Sequence, residues 1–134
     1  MRCCPILYDG REGRLNTHRL NLDLSKTPTY MQSVTIGQGD SKGTTIVASV
    51  FDNGMAANLS GMSARFCMRL PNDAGHVKDA SCSVSGNTIT YTFDESKCAV
   101  ADGRTDIAYF EILDGETIYS TSRFRVVVLR GYSA

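Results

Sequence analysis

Apolar and polar residues alternate along most of the chain with the period of two that is typical of β-strands. In TTIVASVF (44–51), Ile46, Ala48 and Val50 share one face, and in SARFCMRL (63–70) the apolar residues again occupy every second position. In NTITYTF (87–93), three threonines alternate with Ile89, Tyr91 and Phe93. Such alternation predicts sheets with one buried and one solvent-facing side.

Turn signals separate these runs. Asp52-Asn53-Gly54, Pro71–Gly75, Ser85-Gly86-Asn87 and Asp114-Gly115 each interrupt the alternation, and an Asp-Gly pair between two such runs favours a hairpin. The segment 94–103 is the one plausible helical turn, and it is too short and polar for a core helix. About eight short strands then follow one another, which predicts an all-β fold, an immunoglobulin-like antiparallel β-sandwich with an extended N-terminal arm. A small closed barrel is the alternative.

The alternation also predicts which side chains lie inside the sandwich. We expect the interior to hold Ile46, Val50, Phe66, Met68, Leu70, Ile89, Tyr91, Phe93, Tyr109 and Phe124.

The N-terminal region differs from the rest in its pattern. We divide the chain into an arm (1–29) and a sandwich domain (30–134), because the arm shows alternation only in LNLDLS (20–25). This strand could add to a sheet edge of a neighbouring subunit, which would make the arm an assembly element with little role in its own core. It could instead be the first strand of the chain's own sandwich.

Composition and charge narrow the function. The chain has 134 residues, 42% of them hydrophobic, and its fourteen basic residues balance fourteen acidic ones. This balance argues against nucleic acid as the main partner, since phosphate binding needs a basic surface. The longest aliphatic run, 126–129, is far shorter than the roughly 20 residues that span a bilayer. Asp9 interrupts the N-terminal apolar patch before it could act as a signal sequence.

The residues that could support catalysis are sparse. The five cysteines include no Cys-x-x-Cys pair, and neither His18 nor His76 has a partner at metal-ligand spacing. The glycine-rich loop 37–43 lacks the residue order of a phosphate-binding loop. We therefore expect no enzyme activity, no metal, no cofactor and no disulfide framework.

Arginines on outward-facing strand positions are candidates for a protein interface, where arginine is enriched. Sequence alone leaves an interface and an ordinary solvated face equally open. Together with the arm, the candidate interface residues are Arg14, Arg19, Leu20, Leu22, Leu24, Arg65, Arg69, Arg123 and Arg125.

Three motifs in fixed order resemble a known family. FDNGMAANLSGMSARFCMRLPNDAG (51–75) is similar to a strand, turn and Leu-Ser/Thr-Gly element, with Asn58 where the family usually has Asp. AYFEILDG (108–115) and STSRFRVVV (120–128) are similar to its later motifs. Over roughly 34–129, the chain resembles the N-terminal domain of phage baseplate upper proteins.

The resemblance implies a function as well as a fold. It implies an immunoglobulin-like sandwich in a virion, within the tail, baseplate or host-adhesion apparatus, assembled in the host cytoplasm. Its partners would be other virion proteins, and it would form a homo-oligomer in the particle. Family members usually continue into a fibrous, host-binding region, whereas this sequence ends just after its last predicted strand. We therefore expect an anchor or adaptor here, and direct receptor binding is not expected from this sequence. The alternatives are a capsid or neck decoration protein and, less favoured without tryptophan, a carbohydrate-binding module.

Overall fold

The chain folds into two stacked β-sheets in a computed structural model that describes residues 17–25, 31–37, 44–99 and 101–129. Sheet 1 contains, in spatial order, β1 (Thr17–Asp23), β3 (Thr45–Asp52), β8 (Thr88–Thr92) and β7 (Ser83–Ser85), with β4 (Met55–Ala56) paired to the end of β3. Sheet 2 contains β2 (Ser33–Gly37), β11 (Phe124–Leu129), β9 (Gly103–Asp114), β5 (Ser63–Arg69) and β6 (His76–Asp79), with β10 (Thr117–Ser120) paired to β9. A 3-10 turn (Pro71–Asp73) and one helical turn, α1 (Glu95–Cys98), complete the described elements. The predicted all-β sandwich is confirmed.

The predicted turns lie where the strands reverse. Asn53 and Gly54 connect β3 to β4 with φ angles of 55° and 87°. Both values lie in the left-handed region, which glycine and asparagine tolerate best and which two-residue hairpins require. Local sequence therefore determines this hairpin.

The core lies between the sheets and agrees closely with the expected set. Nine of the ten residues are buried, all except Tyr109. Phe66 of β5 lies at the centre and contacts Tyr91 and Phe93 of the opposite sheet, with ring centroids 4.7 and 5.2 Å away. It also contacts Phe110 and Phe124 of its own sheet, at 5.5 and 6.2 Å.

The prediction for Tyr109 was wrong. Phe110 is buried in its place, and Tyr109 faces outward and is half-buried. The register between β11 and β9 shifts between Phe124 and Val126: the step of two positions from Phe124 to Val126 faces a step of three positions from Ala108 to Thr105. This β-bulge inserts an extra residue and changes which side chains of β9 face the core.

The LNLDLS strand belongs to the chain's own sandwich. Leu20 and Leu22 of β1 are buried in the core, at 3% and 1% exposure, and Leu24 packs against its edge. The interpretation of this strand as contributing little to the core was therefore wrong, and the alternative was right. The expected boundary between residues 29 and 30 lies outside the described residues.

Side chains occupy the outer edge of β1. Gln32 accepts a hydrogen bond from the Asn21 amide at 2.9 Å and donates one back to its carbonyl oxygen. The Ser122 amide donates to the Asp23 carbonyl at 2.9 Å, and the Asp23 amide donates to the Ser122 hydroxyl at 3.1 Å. These bonds join β1 to residues that flank sheet 2, and they occupy main-chain groups that a neighbouring strand would need.

Most strand pairs of the described residues are antiparallel, as expected, but two are parallel. β1 pairs with β3 in parallel, and β2 pairs with β11 in parallel, so both sheets are mixed. Consecutive strands β1, β2 and β3 alternate between the two sheets, so β1 and β3 are not partners in a hairpin. A short hairpin forces the two strands that it joins to be antiparallel, whereas strands joined by a longer crossover connection can pair in parallel.

Phe66→Ala should lower the free energy of unfolding by about 3–5 kcal/mol, because the ring is fully buried between the sheets. Denaturant unfolding measures the loss. Leu129→Ala, which truncates an exposed side chain, is the control and should change stability by less than about 0.5 kcal/mol. A loss below about 1 kcal/mol for Phe66→Ala would contradict the central position of the ring.

Leu22→Ala should cost about 2–5 kcal/mol in the same assay, because β1 forms part of the core. The result separates the two interpretations of the N-terminal region. If the variant unfolds at the wild-type denaturant concentration, β1 does not pack on its own sandwich in solution.

Candidate interaction surface

The outer face of sheet 2 brings together the four arginines that the strand pattern placed outward. Arg65 and Arg69 of β5 and Arg125 of β11 alternate with buried residues, and Arg123 precedes buried Phe124. We call this surface the basic face. Its charged residues are Arg65, Arg69, Lys78, Arg104, Arg123 and Arg125 and, opposing them, Asp73, Asp106 and Glu111. Six positive and three negative charges leave it with a formal net charge of +3.

Ion pairs organise the centre of the basic face. The Arg65 Nε atom lies 2.5 Å from Glu111 Oε1, and Arg125 Nε lies 2.7 Å from Asp106 Oδ1. Burial opposes ionisation of Glu111, but the hydrogen bond and charge of Arg65 outweigh it, so the pKa of Glu111 is lowered. The hydrogen bond from Arg125 likewise lowers the pKa of Asp106. Both arginines are therefore fixed in place, which reduces the entropy that binding a partner would cost.

A shallow apolar depression of about 210 Å³ lies among these charges. Cys67, Val77, Ile107 and Tyr109 line it, together with the stems of Arg69 and Lys78. Apolar and tyrosine side chains surrounded by arginine are typical of the energetically dominant part of protein interfaces. The depression therefore has the composition of a docking point for one apolar side chain.

The remaining predicted interface residues lie elsewhere. Arg19 is exposed on β1 of sheet 1, away from the basic face. Leu20 and Leu22 are core residues, so the structure places neither at the surface. Arg14 lies outside the described residues.

A second surface lies at one end of the sandwich, where β4 and β10 meet. An open groove of about 580 Å³, which we call the end groove, is lined by Leu24, Met55, Leu59, Met62, Ile112 and Tyr119 with Asp52 at its rim. Met55 is 75% exposed and Tyr119 44% exposed. Sequence reasoning missed this groove, since its lining comes from three separate segments of the chain and the local signal was exposed apolar residues near turns.

The Asp23 side chain fixes the backbone beside the end groove through hydrogen bonds. Its carboxylate accepts hydrogen bonds from the amides of Ser25, Asn53 and Gly54 at 2.8, 2.9 and 3.0 Å. The bonds from Ser25, followed by those from the turn, lower the pKa of Asp23 to about 2. The end of β1 is thereby fastened to the β3–β4 turn.

No group of three or more metal-ligating side chains occurs in the described ranges. Burial raises the pKa of the Cys67 thiol to about 11, which keeps it protonated and weakly nucleophilic at neutral pH. Within the same ranges, no helix is long and apolar enough to cross a membrane.

A family model described as the BppU N-terminal domain matches residues 16–132. The chain belongs to this family. The family is the N-terminal domain of the baseplate upper protein of phages, which supports a structural role in the tail or baseplate. The match begins one residue before the first strand of the sandwich, so it includes β1 with the rest of the fold.

Comparison with solved structures agrees on the fold. The chain is similar to the N-terminal domain of phage TP901-1 ORF48, with a TM-score of 0.64 and 22% sequence identity. The similarity covers 84% of this chain and 98% of the other. No curated protein sequence matches the chain. At this level of identity, the BppU N-terminal domain fold is shared although most side chains differ.

Asp23→Asn should lower the free energy of unfolding at neutral pH. It should also make that free energy fall less as the pH is lowered. The folded-state pKa of Asp23 is lowered, so its stabilising effect is present above the unfolded value of 3.8 and is lost as pH falls towards 2. Between pH 4 and pH 2 the wild-type chain should therefore lose more free energy of unfolding than the variant. Denaturant unfolding across this range measures the difference.

Asp52→Asn is the matched control, since it removes a neighbouring exposed carboxylate and leaves the three bonds of Asp23 in place. It should keep the acid sensitivity of the wild type. Identical pH profiles for Asp23→Asn and wild type would show that Asp23 does not fasten the turn.

Proposed function

We propose that this BppU N-terminal domain is a non-enzymatic anchor or adaptor of the phage baseplate that binds other virion proteins through its basic face. The observation that carries this proposal is the concentration of four predicted arginines and an apolar depression on one sheet face. Family membership supports the location in the tail or baseplate, in preference to a capsid or neck decoration.

The basic face is suited to an acidic protein partner. Its net charge of +3 would steer an acidic surface towards it, and the ion-paired arginines would present donors in fixed positions. The apolar depression would then bury one side chain of the partner, which supplies affinity that exposed charges alone do not.

The opposite face offers a different chemistry. The outward residues of β3 and β8 are mainly threonine and serine, including Thr45, Thr90 and Thr92, and the exposed Arg19 lies on the same sheet. This difference between the faces provides an internal control for the proposal.

Arg69→Glu combined with Arg123→Glu should greatly reduce incorporation of the protein into particles. Each substitution replaces an exposed positive charge of the basic face with a negative one, and the fold should remain intact. The measurement is quantitative immunoblotting of purified particles from a host in which the variant replaces the natural copy. Thermal unfolding should show a midpoint within a few degrees of wild type.

Arg19→Glu is the matched control, because it makes the same change on the other sheet. It should enter particles at the wild-type level. Normal incorporation of the double variant would overturn the assignment of the basic face, and failure of both variants would show that net charge rather than this face matters.

A further inference from the structure

The end of the sandwich that contains the end groove is acidic, and Asp52 is the acidic residue that lines the groove itself. The segments that form this end of the sandwich are residues 20–25, 50–63 and 112–120, and they carry Asp23, Asp52, Asp114 and Glu116 without any lysine or arginine. Two large side chains of the groove lining are exposed, Met55 at 75% and Tyr119 at 44%. A suitable occupant therefore has apolar side chains flanked by positive charge.

Residues 1–16 of this chain have that composition. The sequence MRCCPILYDGREGRLN places the apolar run Pro5-Ile6-Leu7-Tyr8 between Arg2 on one side and Arg11 and Arg14 on the other. Three arginines against Asp9 and Glu12 give the segment a net positive charge before the terminal amine is counted. Extended chain from residue 8 to Thr17 can span up to about 30 Å.

We propose that Pro5–Tyr8 of one copy occupy the end groove of a neighbouring copy. The apolar run would cover Met55, Met62 and Tyr119, and the flanking arginines would face Asp52 and the acidic turns. The inference rests on the proposed role in an assembled baseplate, to which it adds a specific contact between copies.

Two features favour a neighbouring copy over the same molecule. Thr17 lies at the end of β1 remote from the end groove, about 20 Å from Asp23, at the usual rise per residue of a strand. A segment returning to its own groove would run back along β1, whose outer edge is already bonded to Gln32 and Ser122. Docking in the groove of a neighbouring copy does not require this path.

Cysteine cross-linking tests this contact directly. Cys3 and Cys4 immediately precede Pro5, so Met55→Cys in the full-length chain would place a thiol within disulfide reach when the segment is docked. Under mild oxidation with glutathione disulfide, we expect a two-chain product joined between position 55 and Cys3 or Cys4. Non-reducing electrophoresis gives the size of the product, and mass spectrometry gives the linked positions.

Two controls make the experiment decisive. Leu129→Cys places an equivalent thiol at an exposed site, 53% accessible, on a strand outside the end groove, and should give several-fold less product. Adding Ile6→Asp and Leu7→Asp to the Met55→Cys chain should abolish the product, because the apolar anchor is lost. Neither position is among the described core residues, so we expect folding to be unaffected.

The remaining outcomes overturn the proposal. A single-chain product would show that the segment returns to its own groove. Equal yields for Met55→Cys and Leu129→Cys, or no product, would show that the groove does not bind the segment. Because the assay uses isolated protein, a negative result leaves the basic-face assignment to be judged by particle incorporation.

Discussion

The stacking of Phe66 on Tyr91 is the contact on which the rest of the sandwich depends. The rings come from β5 in sheet 2 and β8 in sheet 1, with centroids 4.7 Å apart and planes inclined by 20°. The Tyr91 hydroxyl then donates to Asp79 Oδ2 at 2.8 Å, and Asp79 lies on β6 beside Phe66. One tyrosine therefore joins the two sheets by both an apolar and a polar contact.

The buried carboxylate at this junction is well compensated. Asp79 is 5% exposed, but the Ser81 amide donates to it at 3.0 Å and Lys97 Nζ lies 3.8 Å away. Burial opposes its ionisation, and the hydrogen bonds of Ser81 and Tyr91 outweigh that effect, so the pKa of Asp79 is lowered. Loss of one partner would leave a buried charge poorly satisfied, which makes this network a strong constraint on how the sheets align.

Other parts of the chain cover the two sides of the sandwich, and this determines which surfaces remain for assembly. On one side, Gln32 and Ser122 occupy the edge of β1. On the other side, the chain passes from β6 in sheet 2 to β7 in sheet 1 through residues 80–82. The bonded edge of β1 has fewer main-chain groups free for strand addition, and the described residues carry a basic face and an acidic end although the chain has no net charge overall.

The sequence by itself determined the features that depend on neighbouring residues. Alternation assigned Phe66, Tyr91 and Ile46 to the core, and Asn53-Gly54 marked a hairpin, because side-chain direction and turn geometry are local properties. Three motifs in order were sufficient to indicate the family, and the outward arginines were found from the same alternation.

Only the tertiary structure decided the features that depend on distant residues. The parallel pairing of β1 with β3 joins positions 28 residues apart, as in Thr17 and Thr45, and nothing within LNLDLS specifies that partner. The bulge that turns Tyr109 outward arises from the register of β9 against β11. The end groove collects side chains from three separate segments, so no single stretch of sequence encodes it, and its shape exists only once the sheets have packed.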